Sequence, residues 1–283
     1  MKKILLLLGI IIINTFFNFA YATNNVAKTN PSQNIHVAFT IDNNYSLYAT
    51  LAINSILRNN TSNSNYTFYI VETDLTDKNI KKMKDFVEKR GHKIEFIDVD
   101  PSIVDKGHDF FDSEQWAGRL NNIALARILL PDLLPKNLNK VLYLDADIMV
   151  CGDLLKLYNT KLGNYPLAMA KDPWVSDYTF IKMPKAYYNS GVILMDLNLW
   201  RKYNITKKLL NYVDKNFIRF IPNPKQSTYF NFPDQDLINV VLQRQIKPIS
   251  NFYNSFRTIH YNPKTKEGTV IVHWTGHNKP WFY

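Results

Sequence analysis

The chain carries a single cysteine, Cys151, among its 283 residues, so no intramolecular disulfide can brace it. That cysteine directly follows an apolar run and reads as a small buried residue rather than a nucleophile. Blocks of five or six like charges are absent, and no nucleic-acid-binding motif is visible. The net charge of +10 therefore reads as solubility plus attraction for an anionic substrate or a membrane surface. No internal repeat and no second linker divides the chain, which points to one large α/β domain. Long apolar runs are missing too. The stretch from Ile4 to Ile13 is interrupted by Asn14, Thr15 and Asn18 before it reaches the roughly 20 residues of a membrane span.

What is present at the amino end has three parts. Lys2 and Lys3 precede the apolar run, and Ala20-Tyr-Ala22 supplies a small-residue cleavage pattern. Residues 1–22 are expected to be a secretory signal peptide, 23–34 a polar linker, and 35–283 the folded catalytic domain. The paired lysines would hold the amino end in the cytoplasm, so the domain is expected to be exported, secreted or periplasmic. The competing expectation is an uncleaved anchor through residues 4–20. Hydrophobic content of 46% and charged content of 20% describe a globular chain.

From Ile35 the pattern alternates between strand and helix. Ile35–Ile41 is β-prone, Asp42-Asn-Asn44 forms a turn, and 45–57 carries Leu47, Leu51, Ile53 and Leu57 at helical spacing. Further strands are expected at 68–71, 93–99, 140–144, 167–170, 192–195 and 269–272. Helices are expected at 76–90, 122–130, 198–217 and 234–242; the first turns Ile80, Met83, Phe86 and Val87 inward and stops at Gly91. Residues 100–120 lack a period and hold Phe110, Phe111 and Trp116, which suit either a sugar-stacking lid or local packing. Such alternation implies a largely parallel sheet flanked by helices, with ligands gathering at the carboxyl ends of strands.

The most informative stretch is Val141–Val150, where Asp145 and Asp147 end an otherwise apolar run. Carboxylates beside a dry core are costly unless compensated, so a cation is expected to neutralise them. Oxygen ligands suit Mg²⁺ or Mn²⁺, completed by a substrate diphosphate. The rival is a strand-end turn with solvated aspartates. Asp42, Asp145, Asp147 and His273 all follow expected strands, which favours the metal.

Six segments in order over residues 35–281 resemble glycosyltransferase family eight, which includes bacterial lipopolysaccharide galactosyl- and glucosyltransferases and glycogenin. They are Phe39-Thr-Ile-Asp42-Asn-Asn44-Tyr45, Ala126-Arg127, Val141–Asp147, then Tyr188-Asn189-Ser-Gly-Val192 with Asp196-Leu-Asn-Leu-Trp200-Arg201. After those come Asp234-Gln235-Asp236, and His273-Trp-Thr-Gly276 with Lys279-Pro-Trp281. The resemblance implies a GT-A fold, a Rossmann-like α/β domain with a mostly parallel central sheet flanked by helices. It implies a UDP-glucose or UDP-galactose donor, retention at the anomeric carbon, Mn²⁺ with Mg²⁺ as the substitute, and a glycan, lipid-linked or protein acceptor, as in lipopolysaccharide biosynthesis.

By the same resemblance Asp145, Asp147 and His273 match the metal ligands. Asp42, Asn44 and Tyr45 match contacts to uracil and ribose, with Tyr45 stacking and Asp42 accepting from the imino N–H; a helix cap at Asp42 or Asn44 is the plainer role, and the two are compatible. Gly276 and Lys279 match the diphosphate site, and Ala146 sits between the aspartates among the donor contacts. Arg127, Asn189, Asp234 and Gln235 match the donor-sugar pocket, with Gln235, Asp234 and Arg127 nearest the chemistry. Their rivals are a structural ion pair for Arg127, a turn for Asn189 and a helix cap for Asp234. An amide is a poor nucleophile, so the expected reaction is front-face, with the leaving diphosphate helping to deprotonate the acceptor.

Two departures stand out. Many bacterial members continue into a basic, aromatic tail, whereas Tyr283 follows Trp281 by two residues, so docking through that end is not expected. An export signal is unusual beside a cytoplasmic donor, and a glycan on the sequon Asn44-Tyr-Ser46 would obstruct the nucleotide site, which argues against eukaryotic secretory passage. A phosphatase of the haloacid-dehalogenase type is disfavoured because Met149 stands where its motif needs Thr or Val. A non-catalytic nucleotide-sugar or glycan-binding protein on the same scaffold is the remaining alternative.

Overall fold

The computed structural model describes residues 33–99, 122–173, 186–216, 233–256 and 267–276, with Lys279 and Trp281. The expected signal peptide, most of the linker, and Phe110, Phe111 and Trp116 lie outside those residues. The first strand, β1 (Asn34–Ile41), starts one residue before the expected point. It shows why these segments form strands. Ile35, Val37, Phe39 and Ile41 face one core while Ala38 faces another, so every second residue packs on the same side. A strand covered on both faces carries apolar residues on both, as Val37, Ala38 and Phe39 do at its centre.

An extra 3-10 turn at Asn43–Tyr45 leads into α1 (Ser46–Arg58). Its buried face is Ala49, Ala52, Ile53 and Ile56, and Leu47 and Leu51 are exposed, contrary to the expected inward stripe. Small alanines let the helix lie close on the sheet, and that turns the two leucines outward. β2 (Asn65–Glu72) follows, then α2 (Asp77–Glu88), capped by the Thr76 side chain and burying Met83 and Val87 as expected. β3 (Lys93–Asp98) completes the first half.

After a 3-10 segment at Asn122–Ile128 come α3 (Leu130–Leu133), β4 (Lys140–Leu144) and β5 (Ile148–Val150). Next are α4 (Leu155–Tyr158), β6 (Leu167–Lys171) and β7 (Tyr188–Asp196). β7 runs four residues further toward its amino end than expected and absorbs Asn189-Ser-Gly191, which is therefore strand and not turn. The expected single helix at 198–217 is two: α5 (Leu197–Lys202) and α6 (Ile205–Lys215). Asn204 breaks it with a left-handed backbone at φ 50°. α7 (Pro233–Leu242), β8 (Ile246–Ile249), β9 (Ser255–Phe256) and β10 (Ile271–His273) close the described chain.

Among the described residues, seven strands form one sheet in the order β3-β2-β1-β4-β7-β6-β8, and β5-β10-β9 form a second. The first sheet is parallel except around β7, which runs antiparallel to both β4 and β6. Cys151 is exposed, which corrects its expected burial. It continues the alternation of β5, where Ile148 and Val150 are buried and Met149 points out. No helix among the described residues is long and apolar enough to cross a membrane.

Candidate active site

β1 and β4 run parallel side by side, so Asp42 and Asp145 emerge at the same edge of the sheet. The chain then turns through Ala146, a buried residue packed into the core, and Asp147 before entering β5. β10 pairs antiparallel with β5, opposing His273 to Ile148, and the Trp274 N–H donates to the Asp147 carbonyl at 3.0 Å. This second sheet brings together two aspartates and a histidine more than 120 positions apart in sequence. Their ligand atoms all lie within 4.8 Å of one another. His273 Nε2 stands 3.2 Å from Asp147 Oδ1 and 3.6 Å from Asp145 Oδ2.

The donor set fits a hard divalent cation such as Mn²⁺ or Mg²⁺, with two carboxylates, one imidazole and no thiolate. The surroundings fit it too. Gly191 in β7 backs the cluster, and a Cβ there would stand 2.7 Å from Asp145 Oδ2 and 2.2 Å from His273 Cε1. The cradle exists because that side chain is absent.

Charge is concentrated and mostly buried. Asp145 Oδ1 accepts from the Tyr143 hydroxyl at 2.5 Å and from Arg127 Nη2 at 3.1 Å. Arg127 Nη1 reaches Asp234 Oδ2 at 3.1 Å and Ser190 Oγ at 2.9 Å. Burial alone would lower the Arg127 guanidinium, but Asp145 and Asp234 outweigh it and hold it protonated. The expected rival for Arg127, an ion pair, is thus real, and it lies inside the cluster. Burial raises the Asp145 carboxyl above its ordinary range, opposed by Arg127 and supported by Asp147. Burial would raise Asp147 as well, yet His273 and Lys279 pull its carboxyl well below the usual range. Lys279 donates to Asp147 Oδ2 and to the Trp274 carbonyl. Gly276 has φ +79°, a backbone region that side chains disfavour.

Asp234 lies in the first turn of α7, with its carboxylate turned to Arg127 and to Ser190 Oγ at 2.8 Å. Gln235 Oε1 accepts from Asn189 Nδ2 at 2.8 Å and from the Ser190 N–H at 3.0 Å. Asp42 caps the 3-10 turn by accepting from the Tyr45 N–H at 3.0 Å, and Asn44 Nδ2 donates to its other oxygen at 3.4 Å. Burial, then Asp147, Asp42 and Asp145, push the Tyr45 phenol up to about 12, so it stays neutral. Trp281 stacks on Tyr48 at 3.8 Å and stands edge-on to Tyr45.

Sequence reasoning missed several members of this cluster. Asp172 follows β6 directly and accepts from Gln235 Nε2 at 3.2 Å; its place after an expected strand was the available signal. Asn254, fully buried, bonds His273, and no local pattern marks it.

The sequence pattern of glycosyl transferase family 8 matches residues 36–283, with all of these groups inside the match. The chain belongs to that family. As a family 8 member it is a glycosyltransferase. It is 25% identical over 267 residues to General stress protein A of Bacillus subtilis (strain 168), covering 87% of each chain. It is 28% identical over 272 residues to the lipopolysaccharide 1,2-glucosyltransferase of Escherichia coli (strain K12), covering 90% of this chain and 75% of that one. The solved galactosyltransferase LgtC, in complex with donor and acceptor sugar analogues, is similar with a TM-score of 0.71 at 23% identity, over 87% of this chain and 89% of that one. That likeness shows the GT-A fold of this family 8 protein.

Proposed function

We propose that this glycosyltransferase moves a hexose, glucose or galactose, from a UDP donor to an acceptor hydroxyl with retention at the anomeric carbon. Asp145, Asp147 and His273 would hold Mn²⁺, with Mg²⁺ as the substitute. The observation that carries this reading is the convergence of those three ligand atoms beside Arg127, Asn189, Asp234 and Gln235. The names of the glucosyl- and galactosyltransferase relatives support a hexose. When bound, the cation would neutralise the diphosphate and stabilise charge on the departing UDP.

The chain's own groups have distinct tasks. Neutral Tyr45 stacks on uracil, and Asp42 accepts from the imino N–H. Lys279 and the backbone at Gly276 face the diphosphate. Arg127 and Asp234 bond sugar hydroxyls and brace each other. Candidate nucleophiles are all engaged. Both lone pairs of Gln235 Oε1 are taken, and Asp236 is fully buried and accepts from the Tyr187 hydroxyl at 2.5 Å. This favours a front-face reaction in which a diphosphate oxygen takes the acceptor's proton as the donor bond breaks. A glycosyl-enzyme adduct on Asp234 or Asp236 would contradict it.

The acceptor is a glycan, lipid-linked or protein hydroxyl. Export through a signal peptide cleaved after Ala22 is part of the proposal, and amino-terminal sequencing of the mature protein tests it. The central test follows UDP release from a panel of UDP-sugars by protein starting at Thr23, with Mn²⁺ and with chelator. One donor is expected to be cleaved slowly and only with metal, and Asp145→Ala should reduce the rate at least about 100-fold, the order seen when a group stabilising the developing charge is removed. An unchanged rate in Asp145→Ala sinks the metal assignment.

A further inference from the structure

Three buried amides run from the sugar pocket to the proposed metal ligand, and their orientations are not free. Asn189 Oδ1 accepts the Gly191 backbone N–H at 3.0 Å, and a backbone N–H can only donate. Gln235 Oε1 likewise accepts the Ser190 backbone N–H at 3.0 Å. These two contacts fix which end of each amide is oxygen. Asn189 Nδ2 then donates to Gln235 Oε1 at 2.8 Å, consistent with both. Facing Asn189 Oδ1 at 2.8 Å, Asn254 must present its Nδ2. Its Oδ1 is left toward His273 Nδ1, 2.8 Å away, so that ring nitrogen must carry a proton.

We propose that Asn254 is a positioning residue that holds His273 in the Nδ1–H tautomer and so presents the Nε2 lone pair to the cation. The inference rests on the metal reading above and deepens it. It opposes a real competitor. With no cation bound, Asp147 Oδ1 at 3.2 Å from Nε2 would favour a proton on that nitrogen, the tautomer that cannot bind metal. The orientation is inherited from the backbone of β7 through two side chains. β9, parallel to β10, sets Asn254 beside the ring it controls.

The test has two readouts. Imidazole ¹⁵N–¹H correlation spectra of metal-free protein report the tautomer; His273→Gln identifies the signals. Mn²⁺ titration in the presence of UDP reports affinity. Wild-type protein is expected to show Nδ1–H. Asn254→Leu should move the proton to Nε2 and weaken Mn²⁺ roughly 10–100-fold, as expected for an outer partner of a ligand. Asn254→Asp keeps an acceptor for Nδ1–H and should retain the tautomer. An Nε2–H ring in the wild type, or a folded Asn254→Leu with unchanged tautomer and affinity, overturns the proposal. Should Asn254→Leu fail to fold, the wild-type and Asn254→Asp spectra still decide. Absence of Mn²⁺ binding in the wild type would remove the metal reading, and the metal-free tautomer comparison would then decide the role of Asn254 alone.

Discussion

A methyl group at Gly191 would stand 2.2 Å from His273 Cε1, inside any permissible contact, and the neighbours on that side are proposed ligands and not a flexible chain end. Gly191→Ala is therefore expected to leave the fold intact and to weaken Mn²⁺ at least about tenfold, since one ligand must shift; calorimetric titration beside a circular-dichroism spectrum checks both halves. Asp147 makes a second residue-scale prediction. His273 and Lys279 hold its folded-state carboxyl below the ordinary value against burial. Its stabilisation is thus complete above the usual carboxylate range and disappears as pH falls below it. Lys279→Met removes part of the pull, so the acid-linked loss of stability should be smaller and should finish at higher pH than in the wild type, read from urea midpoints against pH. At this scale the aspartates were legible because a carboxylate ending an apolar run is costly and conspicuous. Gly191 and Asn254 were not, because their significance lies in neighbours far away in sequence.

The connection between α5 and α3 shows what an element needs beyond periodicity. Arg201, in the last turn of α5, donates to the carbonyls of Pro131, Leu134, Pro135, Lys136 and Leu138 at 2.7–3.3 Å. These are carbonyls of α3 and of the turn after it, segments with few internal partners. Arg201→Ala should cost about 2–3 kcal/mol, the scale of hydrogen bonds to a charged group left unmade, measured by urea denaturation. Arg201→Lys should restore little, since an ammonium cannot span the fan that a planar guanidinium covers. The helix expected at 198–217 spans α5 and α6, and Ile205, Leu209 and Val213 of α6 are buried. The break at Asn204 was illegible because a left-handed residue leaves no mark on hydrophobic spacing. Conversely, Asn189-Ser-Gly191 has turn composition yet is strand: its side chains pair with Gln235 and Asp234, and tertiary partners override the local preference.

The proposed site joins both sheets, with Asp145 at the edge of the larger one and His273 in the smaller one. Ligand bound there is linked to the folding of both. UDP with Mn²⁺ at about 100 times its dissociation constant should add about 2.7 kcal/mol to unfolding stability, seen as a rise in melting temperature that chelator abolishes. A rise with UDP that survives chelator would separate nucleotide binding from the metal. By itself, the sequence determined the class of sheet and the aspartates that meet at one edge of it. These follow from burial periodicity and from the cost of charge beside a core, and both are local. Only the tertiary structure decided that β7 runs antiparallel, that β5, β9 and β10 form a separate sheet, and that the backbone of β7 reaches His273 through Asn189 and Asn254. Short strands and buried amides owe their places to partners in other segments of the chain, most of them tens of residues away, and hydrophobic spacing within one segment does not encode such contacts.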